Sequence, residues 1–461
     1  MSLKINSIQK DPASFRDPSG FVFRLDGKVF RQVNSVYGEH YEQLMSSGLY
    51  QRLVDQRQLL WHQEVALQAT GFQDAWRILE PEQLPFISYP YEWSFSQLKD
   101  AAILTLEIQR AALDAGMTLK DASAYNIQFA AGRPILIDTL SFEAYVDGQP
   151  WIAYRQFCQH FLGPLLLMSY RDVRLGSLSR LYIDGIPLDI ASKLLPARSF
   201  LSLGALMHLH LHAKARRYSG RESAGSSAPK VTRASLYNIV NNLIQTIQAL
   251  TCRLDTAWAD YYQGDSYVDA GMAHKQQLIE KFVTQTAPGV VWDLGANTGV
   301  FSRIASAKGI FTVAWDIDPG AVDMNYRQIR SNAETNLLPL IVDLTNPSPA
   351  LGWAAEERKS ILERANADMV LALALIHHLA IVNNVPLPRI ATFMAQLAPW
   401  LAIEFVPKSD PKTQELLRSR QDIFDNYTKE GFEAAFNMVY DIVECYPVNQ
   451  SGRILYLMHR K

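Results

Sequence analysis

The second half of the chain alternates in a way that few folds accept. Five apolar, β-prone runs (VVWDL at 290–294, FTVAW at 311–315, LPLIV at 338–342, MVLAL at 369–373 and LAIEFV at 401–406) are separated by stretches of helical patterning. Parallel neighbours need a long crossover, usually a helix, so this alternation predicts a parallel sheet with helices on both faces. The runs are nearly continuous in apolar residues, as strands covered on both sides must be. Leu278, Ile279, Phe282 and Val283 form the apolar stripe of a helix just ahead of the first run. The rhythm changes at the end. VYDIVECYPV at 439–448 and GRILYLMHR at 452–460 are joined by a short turn containing Asn449 and Gly452, which predicts an antiparallel hairpin closing the sheet. The fold class expected is therefore α/β, a doubly wound Rossmann-like sheet ending in an antiparallel hairpin.

The first run continues as VVWDLGANTGVFS, residues 290–302, in a strand, loop and helix layout. Gly295 and Gly299 lack a Cβ, so the backbone turns sharply and a ligand can come close. The free N–H groups of the following helix start suit a polar or anionic group. Asp293 stands at the carboxyl edge of its strand, where open α/β sheets bind ligands, and Asp316 ends the second strand roughly 20 residues on, the place of a ribose-binding acid. Asn297 and Val300 fall where the second and third glycines of a dinucleotide fingerprint would be, which disfavours a pyrophosphate cradle and favours an adenosine ligand without phosphates. The plain alternative is a ligand-free sheet whose glycines only turn the chain.

DLGANTG, with DID at 316–318, VDL at 342–344 and ADMVLALALIHHL at 367–379, resembles the class I S-adenosylmethionine (SAM)-dependent methyltransferases over about residues 265–461. The resemblance implies SAM as cofactor, with Asp293, Gly295 and Gly299 holding the methionine end. Asn297 replaces the commoner middle glycine of the loop. It also implies Asp316 on the ribose, Asp343 on the adenine amine and Leu344 beside the ring. Chain-wide, the arrangement resembles bacterial methyltransferases of nodulation or secondary metabolism. Near the transferred methyl group the residues admit two readings each. His377 and His378 follow the fourth strand and could supply a general base, or they cap the strand-to-helix turn. Glu404 could point to the acceptor or satisfy backbone amides. Tyr261, Tyr262 and Tyr267 could form an aromatic lid or pack in a core. Lys275 reads as a solvated helix charge with a lesser chance of touching the cofactor.

The first half reads as α+β. FVFRLDGKVFRQV at 21–33 is a hairpin around Asp26-Gly27, a helix is expected from about Tyr41 to Gln58, PFISYPYEW at 85–93 is a strand or extended connection, and residues 94–116 suit a helix stopped by Gly116. TLKDASAYNIQFAAGRPILIDTLSFE, residues 118–143, places Asp121, Asn126 and Asp138 around a short hairpin through Ala131-Gly132. Phosphotransfer loops use one Asp near the acceptor hydroxyl and an Asn and a second Asp on magnesium. The stretch resembles the catalytic loop of protein kinases and, more closely, of aminoglycoside-phosphotransferase-like kinases. It departs from them where Thr118-Leu119-Lys120 precedes the Asp and Ser-Phe follows the second one. No glycine-rich phosphate loop is present, and Arg31 with Glu39 or Glu42 is the nearest strand-cation to helix-acid pair. The implied domain is kinase-like and degenerate; the alternative is an unrelated α+β domain in which these acids cap turns. In MHLHLHAK, His208 and His212 share a helix face as zinc ligands can, but no acidic partner follows and no metal is expected.

Residues 219–230, SGRESAGSSAPK, are small, polar and without apolar periodicity. They divide the chain into residues 1–218, a kinase-like or substrate-recognition domain, the 219–230 linker, and residues 231–461, the methyltransferase domain with its core at 265–461. At 461 residues two or three domains are the prior. Formal charge is −2, from 44 basic and 46 acidic residues, which makes a nucleic-acid partner unexpected. Three scattered cysteines, Cys158, Cys252 and Cys445, give no disulfide framework and point to a reducing, cytoplasmic setting. The apolar runs at 161–168 and 369–376 are far shorter than the roughly 20 residues of a spanning helix, so no membrane partner is expected. Three functions fit: a SAM-dependent methyltransferase whose first domain helps present an unidentified small-molecule or macromolecular acceptor, a bifunctional kinase and methyltransferase, or a non-catalytic SAM-binding regulator.

Overall fold

The structure is a computed structural model, and it describes residues 8–66, 74–214, 230–254, 266–418 and 421–461. The chain forms two compact units: Met1–Arg253 with Ala350–Arg358, and Leu254–Pro349 with Lys359–Lys461. The first unit thus extends past the 219–230 segment, most of which lies outside the described residues. Helix Arg233–Gln248, which the sequence reading gave to the second domain, turns its apolar stripe of Leu236, Val240, Leu243 and Ile247 inward and packs on helix Phe95–Asp114. Lys99 Nζ donates to the carbonyls of Gln248 and Leu250 at its end. The stripe needs cover, and the first unit supplies it.

That unit opens with five antiparallel strands, β1 (Gln9–Lys10), β2 (Gly20–Leu25), β3 (Lys28–Asn34), β4 (His62–Glu64) and β5 (Ala75–Pro81), ordered β1-β2-β3-β5-β4. The β2–β3 turn is Asp26-Gly27, both at positive φ, as expected. Between β3 and β4 the expected single helix is two, Gly38–Ser46 and Leu49–Asp55, broken at left-handed Gly48. Residues 85–93 contain no strand, only a one-turn helix at Pro90–Glu92. Helix Phe95–Asp114 starts on a Ser94–Gln97 capping box and stops before Gly116, which has φ +71°. Beyond it lie β6 (Met117–Leu119), β7 (Ile127–Ala130), β8 (Arg133–Leu136) and β9 (Phe142–Ala144), paired β6–β9 and β7–β8, then short helices.

The second unit is one seven-stranded sheet: β10 (Val290–Leu294), β11 (Phe311–Asp316), β12 (Leu337–Ile341), β13 (Met369–Ala372), β14 (Trp400–Phe405), β15 (Tyr440–Pro447) and β16 (Ile454–Arg460). Its order is β12-β11-β10-β13-β14-β16-β15. The first five strands run parallel, and β16 pairs antiparallel with both β14 and β15. Pro339 is tolerated in β12 because β12 is an edge. Leu278, Ile279, Phe282 and Val283 of helix Ser266–Thr286 pack with Val291, Met369 and Leu371 on one face. Strand order reverses between β10 and β13, so the carboxyl ends of those strands open a crevice.

Candidate active site

The loop leaving β10 is built on alternate left-handed residues. Gly295, Asn297 and Gly299 have φ of +76°, +50° and +79°. Glycine accepts that region freely, and asparagine is among the few side-chain-bearing residues that enter it readily. This accounts for Asn297 in place of a middle glycine. The amides of Gly295 and Ala296 both donate to the Trp315 carbonyl at 2.9 Å, pinning the loop to β11. The two glycines serve different ends. A Cβ on Gly295 would stand 3.3 Å from Leu375 Cδ1 at the crevice, whereas one on Gly299 would meet Asn325 Nδ2 at 2.5 Å and Arg303 Nη1 at 2.8 Å inside the packing.

The crevice is a cavity of about 730 Å³, within the roughly 300–1,000 Å³ of small-molecule sites. Asp293, Gly295, Asn297, Asp316, Asp343, Leu344, His378 and Glu404 line it; Gly299 and His377 do not. Asp316 is held in place by backbone: Oδ2 accepts from the Asn297 amide at 2.7 Å and Oδ1 from the Asp318 amide at 2.8 Å. Each oxygen keeps a second lone pair for a ligand hydroxyl. Burial pushes the Asp316 carboxyl up, and those amides pull it back. Asp318, the neighbouring acid, caps helix Pro319–Asn332 through the Gly320 amide and is not on the cavity wall. Asp293 is buried, accepts from Ser302 Oγ at 2.6 Å, and is pushed up to about 6 by desolvation. Asp343 uses Oδ1 for the amide and hydroxyl of Thr345, at 2.8 and 2.6 Å.

Glu404 is not an available base. Its Oε2 accepts from Lys275 Nζ and from the Ala374 amide, both at 2.7 Å, and its Oε1 lies 3.6 Å from Arg453 Nη1. Arg453 also makes a two-pronged bond to Asp410, at 2.7 and 3.2 Å. Burial alone would raise the Glu404 carboxyl, but Lys275 and Arg453 outweigh it and hold it below its usual range. Lys275 is likewise no solvated charge: it is buried, lies over the Phe301 ring at 4.7 Å, and lines the cavity. The two histidines part company. His377 is buried off the wall, and desolvation lowers it to about 2; His378 faces the cavity, and burial lowers it too, so a neutral imidazole stands there at neutral pH. Of the proposed lid tyrosines, Tyr261 and Tyr262 lie outside the described residues, as does the side chain of Tyr267.

In the first unit Asn126 and Asp138 meet through Ser141, with a cation of the chain itself on Asp138, while Asp121 caps its own turn by accepting from the Ser123 amide at 2.9 Å. Arg31 of β3 is ion-paired with Asp138 Oδ1. Asp138 also accepts from the Leu140 amide at 3.1 Å and from Ser141 Oγ at 2.6 Å, and Ser141 in turn receives Asn126 Nδ2 at 3.3 Å. Burial lowers the Arg31 guanidinium to about 10 while Asp17 and Asp121 act to raise it. Arg31 therefore pairs with the loop Asp and not with Glu39 or Glu42; Glu42 takes Arg77. Both ring nitrogens of His208 are engaged, by Tyr154 and Asn242.

No family model matches the chain. Nodulation protein NoeA of Rhizobium meliloti (strain 1021) is 37% identical over 459 residues, taking in 97% of this chain and 95% of that protein. The chain belongs to the NoeA family. Among solved structures, WbdD shares 14% identity over 43% of this chain and 42% of its own, with a TM-score of 0.32. Magnesium protoporphyrin IX methyltransferase (ChlM) from Synechocystis PCC 6803 with bound SAH shares 17%, over 45% of this chain and 96% of its own, at 0.32. A putative O-methyltransferase from Nostoc punctiforme PCC 73102 shares 15%, over 44% and 60%, at 0.32. The second unit of this NoeA-family chain has five parallel strands with a reversed hairpin at one edge.

Lys275, Asp410 and Arg453 are the site residues that sequence reasoning missed or misread. Asp410 before Pro411 carried a signal, since it caps helix Pro411–Leu417 through the Lys412 amide. Arg453 carried none, because only the hairpin's return to β14 brings it to Glu404.

Proposed function

We propose that the chain is a SAM-dependent methyltransferase, with the second unit carrying cofactor and chemistry and the first helping to present the acceptor. The observation behind this reading is that Asp293, Asp316 and Asp343, from three successive strand ends, line one cavity with the left-handed loop. Among their duties, Asp316 suits a ribose diol, Asp343 and Leu344 suit an adenine ring, and Asp293 suits the cationic amine of a methionine end. SAM supplies a methyl group on a sulfonium centre. For their part, the protein's groups orient the partners and exclude water. His378, neutral and facing the cavity, is the group able to take a proton from an acceptor hydroxyl or amine. Asn383, Ser409, Lys412 and Gln450 leave the far wall exposed, which favours an enzyme over an occluded regulator. The name of the Rhizobium relative attaches it to nodulation and to no particular reaction.

A bifunctional kinase reading draws support from the five-stranded opening sheet, the helices between β3 and β4, and the link of Asn126 to Asp138 through Ser141. Arg31 weighs against it, because its guanidinium takes the oxygen a magnesium ion would use. We read the first unit as kinase-like and not phosphotransferring.

Calorimetry on the full chain tests the main proposal. SAM and S-adenosylhomocysteine should bind, and NAD should not. Asp316→Ala removes charge-assisted bonds of roughly 1.5–3 kcal/mol each and should weaken SAM at least about tenfold. NAD binding without a SAM signal would sink the reading.

A further inference from the structure

The first unit carries a surface that its own chemistry leaves unused. Between Leu188 and Leu211 the chain forms successive short helical segments, Leu188–Leu194, Ala197–Leu201 and the turns from Leu203 to Leu211. Their inner side is fixed by buried polar bonds. His210 is held between Ser192 Oγ at 2.8 Å and Ser199 Oγ at 2.9 Å, and His208 between Tyr154 and Asn242. The outer side is therefore set by the fold, and it presents Leu194, Phe200, Leu201, Leu203, Met207 and Leu211 to solvent. Leu203, Met207 and Leu211 recur every fourth residue along one face. Leu201 and Leu203 are 88% and 63% exposed, so they protrude and do not wall a groove. Grouped apolar exposure of this kind marks an interaction site.

The charges around it choose the partner. Helix Leu188–Leu194 carries one acid, Asp189, in its first turn, and from there to residue 214 the chain has Lys193, Arg198 and Lys214 and no further Asp or Glu, in a chain whose net charge is −2. All three cations are exposed. Arg171 adds a fourth, since its Nε donates to the Leu194 carbonyl at 2.7 Å. A second copy of the chain would set these cations against their own images, which is unfavourable. Protruding aliphatic side chains on a segment whose charges are mostly cationic match an interface between water and anionic lipid, with the leucines in the acyl boundary and Lys and Arg at headgroup level.

We infer that residues 194–211 dock the first unit on the surface of an anionic lipid bilayer. The segment lies on the membrane and does not span it. It is a set of side chains folded onto one face, which a search of the sequence for long apolar runs passes over.

Co-sedimentation of the full chain with phosphatidylcholine vesicles, with and without phosphatidylglycerol, tests this. The chain should pellet with the anionic vesicles only, and less as salt rises. Leu201→Asp with Leu203→Asp should lower the bound fraction about tenfold. Lys193→Glu with Lys214→Glu, at two exposed positions, should do the same at an unchanged Tm, and it decides the matter should the first pair fail to fold. No binding to anionic vesicles, or binding indifferent to both pairs, overturns the inference. So does a concentration-dependent dimer that the leucine changes abolish in the absence of vesicle binding, because the surface then belongs to a second copy.

Discussion

Glu404 shows how much a single buried charge depends on its neighbours. With no exposed surface and two cations beside it, it is stable as a carboxylate only while they stay. Removing one partner of a buried pair leaves the other uncompensated, at about 3–5 kcal/mol. Lys275→Met should therefore lower the stability of the second unit by roughly that amount, read as a shift in urea midpoint at constant slope. A variant of native stability that had merely lost SAM affinity would instead make Lys275 a ligand group with no structural duty. The sequence could name Glu404 but not its state, because Lys275, Ala374 and Arg453 reach it from three distant parts of the chain. Asp316 was legible, since a strand-ending acid needs only local pattern to be placed.

At the level of elements, the loop after β10 is the clearest case of backbone dictating residue type. Asn297→Gly should be close to neutral, because glycine also accepts φ near +50°. Asn297→Val forces a β-branched residue into that region, a strain of about 1–3 kcal/mol, and should release the amide that Asp316 holds. Thermal unfolding of the two variants separates them; equal losses would show that the Asn297 side chain, not its backbone, matters. Strands β10 to β14 were readable nearly to the residue, because strands buried on both faces must be continuously apolar, and β15 and β16 were readable from the short turn that joins them. The break at Gly48 was missed although Ser46-Ser47-Gly48 marks it, because the apolar pattern resumes at Leu49 and reads as one helix across the glycine. The placement of Arg233–Gln248 was not readable, because its apolar stripe says that it needs a partner and not which one.

For the molecule as a whole, the main question is whether both halves do chemistry. With Asp138 saturated by Arg31, Leu140 and Ser141, ATP should give no magnesium-dependent thermal shift of the full chain, and Asp138→Asn should leave methyl transfer intact. A magnesium-dependent stabilisation that Asp138→Asn abolishes would restore the bifunctional enzyme. Among the described residues no helix is long and apolar enough to cross a membrane. The first unit also has an unusual completeness condition, because Ala350–Arg358 belongs to it. Glu357 receives a two-pronged bond from Arg16 at 3.1 and 2.6 Å, and the Arg358 guanidinium lies 4.0 Å over the ring of Tyr125. On the ribosome these partners arrive about a hundred residues after Arg253, roughly 5–20 s later at ordinary elongation rates. For that interval the nascent first unit waits with Arg16 lacking Glu357 and the ring of Tyr125 lacking Arg358. Strands β10 to β12 are synthesised in the meantime, so the last piece of the earlier unit is delivered by the later one.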